Sequence, residues 1–263
     1  MITSLQNQRI KNIVKLGSAR ERRKQNLFII EGSRELSLAV TGGYNIRNLF
    51  VCDEFLNRKG EVLISQIDIH AEKVSVDVFN KMAYRDESDG IIAVSESKQL
   101  SINAVRFSAN PFVIVLEAVE KPGNLGAILR TAEAAGVDAV IVCDPKTDIF
   151  NPNTIRSSIG SVFTQQVVAC TSEEALQWLK QAGICIFAAE LAALEWYHET
   201  DFTLPSAIVM GTEADGLSGF WLRNADHRIK IPMQGHVDSL NVSVSTAVIT
   251  FEAMRQRKRK VII

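Results

Sequence analysis

Long apolar segments are missing from this chain of 263 residues. No apolar run approaches the roughly 20 residues that a membrane-spanning helix needs, so no membrane partner is expected. The first nine residues lack the charged start, the apolar stretch and the small-residue cleavage site of a signal peptide. We therefore expect a protein that is not exported and that acts in the cytoplasm.

Cysteine is scarce and widely spaced. The four thiols form no C-x-x-C pair, and no histidine stands beside them at metal-ligand spacing; they are Cys52, Cys143, Cys170 and Cys185. This pattern predicts reduced, buried thiols rather than disulfides or a zinc site, and no bound metal is expected.

The chain also lacks a positive net charge, which would indicate a nucleic-acid-binding protein. The 29 lysines and arginines are balanced by 30 aspartates and glutamates, which gives a formal charge of −1. Basic residues are instead concentrated at 20–24 and at 255–260. Such local runs suffice for phosphate contacts, although each also fits a solvated surface.

The glycine-rich fingerprints of nucleotide enzymes are incomplete. Residues 211–218 (GTEADGLS) have the glycine spacing of a P-loop, but Leu217 occupies the position of the phosphate-binding lysine. No G-x-G-x-x-G follows the first strand of either half, which disfavours a Rossmann dinucleotide site. Residues 211–218 are therefore either a plain tight turn or a ligand-binding loop at the carboxyl end of a strand.

Helical and strand patterns alternate along residues 1–97 and predict a small α/β domain. The expected elements are a helix at 33–40 and strands at 27–30, 49–52, 74–78 and 90–94. Residues 98–110 lack a clear period and end at Asn110-Pro111, so they are expected to form a linker.

Buried-type strands alternating with helices dominate residues 111–263. The expected strands lie at 112–116, 139–142, 166–168, 185–188 and 207–210. Continuous apolar strands in this arrangement predict a parallel sheet that is covered by helices on both faces. A capping-box sequence, from Thr171 to Glu174, predicts the start of a helix that runs to Gln181.

Polar residues are expected at two helix starts. Asn124 follows a Pro-Gly turn and could cap the helix that carries Arg130, which lies six residues later and on another face. Ser239 is expected to cap the last helix, with these apolar residues facing inward: Val244, Val248, Phe251 and Met254.

Three segments carry the chemistry-bearing residues. Residues 124–136 read N-x-G-x-x-x-R-T-A-x-A-x-G, and residues 211–218 read G-x-E-x-x-G-L-S. The third segment joins Ile-Pro-Met at 231–233 to Ser-Leu-Asn-Val-Ser at 239–243. Matched in this order, they resemble the three motifs of the SpoU (TrmH-type) branch of the SPOUT RNA 2′-O-ribose methyltransferases. Two positions depart from that family's usual pattern: Lys121 stands where Asp is frequent, and Thr212 where Asn is common.

The resemblance extends over essentially the whole chain and implies a fold. Residues 111–263 would form a parallel-sheet SPOUT domain with a deep C-terminal trefoil knot, an exception to the rule that chains do not thread loops. Residues 1–97 would form a small ribosomal-protein-like α/β domain that binds the RNA substrate. The family also dimerises through the knotted domain, which would place basic residues of one chain near the other chain's site.

The resemblance also implies methyl transfer from S-adenosylmethionine to a ribose 2′-hydroxyl of RNA, with ribosomal RNA favoured. The residues that it assigns to catalysis are Asn124, Arg130, Glu213, Ser239 and Asn241. Those that it assigns to the methyl donor are Gly211, Thr212, Glu213, Gly216, Ile231, Met233, Leu240 and Val242. Because a guanidinium stays protonated up to a pH of roughly 12 or more, Arg130 is expected to stabilise developing negative charge or to orient a phosphate rather than to act as a base.

Other functions fit parts of the pattern. A transfer RNA 2′-O-methyltransferase would carry the same three motifs, and so would an RNA-binding SPOUT protein that has lost catalysis, although the complete set of polar motif residues argues against such a loss. A Rossmann-type enzyme would need a glycine-rich first loop, which is absent. The target nucleotide is left open.

Overall fold

The structure, a computed structural model, describes residues 1–85 and 88–259, apart from the side chain of Arg259. Its α-helices in those ranges are α1 (Gln8–Lys15), α2 (Ala19–Gln25), α3 (Ser33–Thr41), α4 (Arg58–Gln66), α5 (Val76–Met82), α6 (Pro122–Ala135), α7 (Pro152–Ser157), α8 (Ser172–Gln181), α9 (Gly219–Asn224) and α10 (Val242–Arg259). Its β-strands there are β1 (Leu27–Glu31), β2 (Ile46–Val51), β3 (Ala71–Lys73), β4 (Ile91–Glu96), β5 (Phe112–Glu117), β6 (Ala139–Cys143), β7 (Val167–Cys170), β8 (Cys185–Ala189), β9 (Glu195–Trp196), β10 (Ser206–Met210) and β11 (His227–Lys230).

The chain divides into two compact units. The first unit consists of Met1–Lys98 together with Asp148–Thr164, and the second consists of Gln99–Thr147 together with the chain from Gln165 onward. Residues 148–164, which the sequence pattern places in the second domain, therefore cluster with the first. The expected linker is not a free connection either, because Leu100, Ile102 and Val105 pack against the core of the second unit.

The first unit has a four-stranded mixed sheet in the order β1-β4-β2-β3. Strand β4 is antiparallel to both β1 and β2, and β2 is parallel to β3. The strand expected at 74–78 is wrong, because helix α5 begins at Val76. Ser75 caps that helix by accepting a hydrogen bond from the backbone N–H of Val78, and this cap overrides the alternating apolar pattern.

Aromatic packing explains why residues 148–164 belong to the first unit. The ring of Phe28 on β1 stacks on Phe150 at a centroid distance of 4.4 Å and on Phe163 at 5.9 Å. Gly42 approaches this segment so closely that a Cβ atom there would lie 2.2 Å from the carbonyl oxygen of Phe163. Arg22 is buried and donates from Nε to Asp148 at 2.6 Å, so it is not part of the exposed basic surface that its run suggests.

The second unit has a seven-stranded sheet in the order β7-β6-β5-β10-β8-β11-β9. Every pairing in it is parallel, which confirms the predicted parallel sheet. Val113 and Val209 belong to a core cluster with Trp221 of α9. The neighbouring Ile114 and Ile208, which point to the opposite face, are also fully buried, so both faces are covered.

The last helix buries a different face from the one expected. Val244 and Phe251 are 47% and 52% exposed, and Val248 and Met254 are only partly buried. The buried residues of α10 are Val242, Thr246, Ile249, Thr250 and Ala253. Thr246 can face inward because its hydroxyl donates to the carbonyl of Val242 at 2.6 Å, within the helix. An apolar stripe of α10 is therefore left at the surface of the chain.

The basic run on α10 is largely engaged within the second unit. Arg255 pairs with Glu252 at 2.6 Å. Arg257 donates to the backbone carbonyls of Asn110, Pro111 and Leu204, and burial lowers its pKa. Lys258 is exposed, and Lys260 lies outside the described residues. Over the part of the chain that the structure describes, every helix is too short or too polar to cross a membrane.

The predicted capping box of α8 is confirmed and can be tested. Thr171 Oγ1 accepts the backbone N–H of Glu174 at 3.2 Å, and Glu174 Oε2 accepts that of Thr171 at 2.9 Å. Thr171→Ala should lower the free energy of unfolding by about 1 kcal/mol because a backbone donor loses its partner. Urea unfolding can be followed by tryptophan fluorescence, since the three tryptophans lie in the second unit. Thr171→Ser keeps the hydroxyl and should retain most of the stability; equal stability of all three proteins would contradict a role for the box.

Candidate functional site

A cavity of about 550 Å³ opens at the carboxyl ends of β8, β10 and β11. Ligands usually bind at this edge of a parallel sheet, and the volume lies in the range of roughly 300–1,000 Å³ that is common for small-molecule sites. All eight residues that the resemblance assigns to the methyl donor line this cavity: Gly211, Thr212, Glu213, Gly216, Ile231, Met233, Leu240 and Val242.

The loop after β10 is held closed by its own backbone. Thr212 and Gly216 exchange two backbone hydrogen bonds, of 2.9 and 3.2 Å. Gly216 has a φ of +67°, and a Cβ atom on Gly211 would lie 2.1 Å from the carbonyl carbon of Gly216. Both positions therefore require glycine. The buried Glu117 at the end of β5 accepts the N–H of Ser218 at 2.7 Å and so attaches the end of the loop to the sheet.

Glu213 joins the three sequence segments at one carboxylate. Its Oε1 accepts hydrogen bonds from Asn124 Nδ2 at 2.8 Å and from Asn241 Nδ2 at 2.5 Å. Its Oε2 pairs with the ammonium group of Lys121. Lys121 first, and then the amide of Asn124, hold the pKa of Glu213 below its usual value, with a smaller contribution from Asn241. Glu213 is thus an ionised group that accepts hydrogen bonds from its neighbours.

Both expected helix caps are wrong, and the differences explain this cluster. Helix α6 begins at Pro122 and has no side-chain cap, so the amide of Asn124 in its first turn is free to reach Glu213. At the start of α10, Asn241 rather than Ser239 is the side-chain cap, because its Oδ1 accepts the N–H of Ser243 at 3.0 Å. The Nδ2 of the same amide bonds to Glu213. Ser239 lines the large cavity and donates to Asp238 at 3.2 Å.

A second cavity, of about 220 Å³, lies beside the first. The two share five lining residues: Gly211, Thr212, Glu213, Ala214 and Val242. The second cavity is completed by residues 119–121 and Asn124, at the start of α6. Glu213 thus stands on the boundary between the two spaces.

Within one chain, Arg130 does not contact the cluster around Glu213. It lies almost two turns after Asn124 on α6, and its side chain is exposed. It forms no hydrogen bond or ion pair with the residues that the structure describes, and neither cavity has it among the described residues of its lining. Of the five expected catalytic residues, Asn124, Glu213 and Asn241 are in contact, Ser239 is on the same cavity, and Arg130 stands apart.

Several lining residues escaped the sequence pattern. The loop after β8 contributes Glu190 and Leu191, β11 contributes Lys230, and α10 contributes Ser245 and Ile249. The rule that ligands bind at the carboxyl ends of parallel strands could have found Glu190, since it lies two residues after the end of an expected strand. Among residues 1–85 and 88–259, no three His, Cys, Asp or Glu side chains are placed so as to hold a metal ion.

Comparisons with known proteins give consistent results. Residues 111–251 match the SpoU rRNA Methylase family, and residues 7–93 match the MRM3-like substrate binding domain. The 23S rRNA (guanosine(2553)-2′-O)-methyltransferase RlmP of Bacillus subtilis (strain 168) is 31% identical over 250 residues, which are 95% of this chain and 97% of that protein.

Two solved structures are similar over nearly their full length. One is the crystal structure of an RNA 2′-O ribose methyltransferase, with 38% identity, a TM-score of 0.88, and coverage of 98% of this chain and 99% of the other. The second is the AdoMet-bound rRNA methyltransferase from Sinorhizobium meliloti, with 29% identity, a TM-score of 0.88 and coverage of 97% of each chain.

The close approach of Gly211 to Gly216 can be tested by adding a methyl group. Gly211→Ala should lower the free energy of unfolding by about 2 kcal/mol, because the clash is with backbone that must move. Gly235→Ala is a matched control, since a Cβ atom there meets no described atom within 4 Å, and it should change stability by less than about 0.5 kcal/mol. Tryptophan fluorescence in urea measures both. Equal stability of the two variants would show that the backbones of Gly211 and Gly216 are far enough apart to accept a Cβ atom.

Proposed function

We propose, because the chain belongs to the SpoU rRNA methylase family, that its large cavity binds S-adenosylmethionine and that the cluster around Glu213 receives the acceptor ribose. The protein is an S-adenosylmethionine-dependent RNA 2′-O-methyltransferase that acts on ribosomal RNA. The observation that carries the assignment of the site is the convergence of three distant motif segments on one cavity and one carboxylate.

The large cavity fits the methyl donor in size and chemistry. Ile231, Met233 and Leu240 offer apolar surface to the adenine ring, and the closed loop at 211–218 offers backbone groups to its polar edge. Glu190 and Lys230 add charged groups for the ribose and the amino-acid end of the donor. When bound, S-adenosylmethionine supplies a methyl group on a sulfonium, so the remaining task of the protein is to activate and place the hydroxyl.

The cluster around Glu213 has the features that an acceptor ribose requires. Its carboxylate and the amides of Asn124 and Asn241 offer acceptors and donors to hydroxyl groups at the boundary of the two cavities. Because the pKa of Glu213 is lowered, this carboxylate is a weak base that orients the hydroxyl, and the hydroxyl proton would pass to solvent water as the methyl group moves from the sulfonium to the oxygen. Ser239 would contribute its hydroxyl from the donor side.

Arg130 fits this reaction best if it acts in the site of a partner subunit. Its guanidinium is exposed and has no partner among the described residues, although an arginine with small apolar neighbours on α6 is expected to serve a purpose. In a homodimer it would stabilise negative charge on the acceptor oxygen, or orient a phosphate, beside the partner's Glu213 cluster.

The exposed stripe of α10 supports a homodimer of the second unit. Val244 and Phe251 lie seven residues apart on one face of the helix, with Val248 between them, and about half of each is exposed. Large apolar side chains in a row are typical of an interface. Because α10 packs against α6, such an interface would also bring Arg130 near the partner.

The path of the C-terminal segment supports a trefoil knot. Strand β11 lies two places from β10 in the sheet, yet α10, which follows β11, packs against α6 and β10. The chain therefore returns past the carboxyl ends of β8 and β10 before its last helix begins. We infer that this return threads the preceding loop, as the family's fold implies.

The first unit is proposed to bind the RNA substrate, in keeping with its match to a substrate binding domain. Helices α1 and α2 present exposed cations that form no ion pair with the described residues: Lys11, Lys15, Arg20, Arg23 and Lys24. These charges provide local phosphate contacts on a chain with almost no net charge. We infer that the enzyme acts in the cytoplasm, on ribosomal RNA.

The reaction and the role of Arg130 can be tested together. The wild-type protein should bind S-adenosylmethionine in calorimetry and add 2′-O-methyl groups to unmodified ribosomal RNA, as mapped by mass spectrometry. Arg130→Ala should keep the donor affinity and lose about a hundredfold or more in methylation rate, because electrostatic stabilisation of the acceptor is lost. Wild-type turnover in that variant would remove Arg130 from the mechanism.

Mixing subunits distinguishes action in the partner's site from action in the same chain. Glu213→Ala should also be inactive on its own. If Arg130 serves the partner, an equal mixture of the two variants, unfolded and refolded together, should recover roughly a quarter of wild-type turnover, since each mixed dimer has one complete site. A mixture as inactive as its components would refute action across the interface.

The proposed dimer predicts a change of oligomeric state. Phe251→Asp should convert the protein to a monomer in light scattering, because a charge cannot be buried unpaired in an apolar interface. Val62→Asp is the matched control, since Val62 also lies on a helix, in the first unit, and is 51% exposed. Dimers of both variants, or monomers of the wild-type protein, would contradict the proposed interface.

A further inference from the structure

Lys121 occupies an unusual place next to the Glu213 cluster. It immediately precedes α6, and its ammonium group pairs with Oε2 of Glu213 while 69% of its side chain remains exposed. It is also one of the two positions where the chain departs from the usual family pattern, which has Asp there. The inference that follows rests on the proposed function.

The position of Glu213 does not depend on Lys121. The other carboxylate oxygen, Oε1, already accepts two amide hydrogen bonds, from Asn124 and Asn241. An exposed ion pair between a lysine and a carboxylate adds little to stability, because solvent screens it and the long side chain loses freedom. A role in holding the fold therefore does not account for this lysine.

The charges of the second cavity point to a ligand for Lys121. Among the described residues that line this cavity, Lys121 is positively charged, whereas Glu120 and Glu213 are negatively charged. Glu120 is partly neutralised by Lys146, with which it pairs at 2.6 Å. Without Lys121, two carboxylates would face any anion that entered, so this lysine decides whether an anion can be accommodated there.

The acceptor brings such an anion with it. In RNA, the carbon that bears the 2′-hydroxyl is bonded to the carbon that bears the 3′-phosphodiester. A ribose placed at the boundary of the two cavities, with its 2′-hydroxyl towards the donor, therefore has a phosphate close by. Lysine has three N–H donors, of which the contact with Glu213 uses one, so it can bind a phosphate oxygen at the same time.

We propose that Lys121 binds the phosphodiester on the 3′ side of the target ribose and so fixes the acceptor beside Glu213. In this role it is a substrate-binding residue that acts on RNA and not on the methyl donor. Replacing it should weaken the use of RNA while leaving the affinity for S-adenosylmethionine unchanged.

The salt dependence of methylation tests this contact. For Lys121→Ala, kcat/KM for an unmodified ribosomal RNA transcript should fall about tenfold, as expected for one charge-assisted hydrogen bond. The slope of log kcat/KM against log salt concentration should become shallower by about 1, because one fewer counterion is released. Lys121→Arg keeps the charge and should keep the wild-type slope. Lys180→Ala, which removes an exposed lysine on α8, should change neither quantity.

The alternative outcomes are distinct. If Lys121 acted only by positioning Glu213, Lys121→Ala would lower kcat with an unchanged salt slope. That result, or wild-type values throughout, would overturn the phosphate contact while leaving the proposed function intact. A wild-type protein that binds donor but methylates no RNA would overturn both.

Discussion

The arrangement of the site depends on the hydrogen bonds that the carboxylate of Glu213 accepts. This carboxylate hydrogen-bonds to side chains that are 89 residues earlier and 28 residues later in the chain, and so it turns three separate motifs into one arrangement. Its position depends in turn on the closed loop between Gly211 and Gly216, where the backbone of Gly216 leaves no room for a side chain on Gly211. The hydrogen bonds of Glu213 therefore depend on the backbone packing of the loop that follows β10.

Much of the second unit follows from local physical patterns. Strands β5, β6, β8 and β10 are runs of apolar residues that must be covered on both faces, and this requirement favours a parallel sheet with helices on either side. The capping box of α8 is equally local, since both of its hydrogen bonds lie within four residues. The residues that line the large cavity could be predicted only because the three motifs resemble those of a known family.

The features that could not be predicted depend on distant contacts. The alternation of apolar and polar residues at 74–78 is compatible with a strand. Only the hydrogen bond that Ser75 accepts as a helix cap shows that a helix begins there. On α10, composition predicts that the large apolar side chains are core residues, yet the helix buries Thr246 and Thr250 and leaves half of Phe251 exposed. The contacts that Asn124 and Asn241 make depend on the position of Glu213, which no local pattern contains.

The stacking of Phe28 on Phe150 and Phe163 has a consequence for how the chain can be divided. The polypeptide passes between the two units three times, after Lys98, after Thr147 and after Thr164. A fragment that stopped near residue 98 would leave the ring of Phe28 open to water and Arg22 without its carboxylate. The first unit therefore cannot be separated as one continuous segment: exchanging it between relatives requires transplanting residues 148–164 as well as residues 1–98.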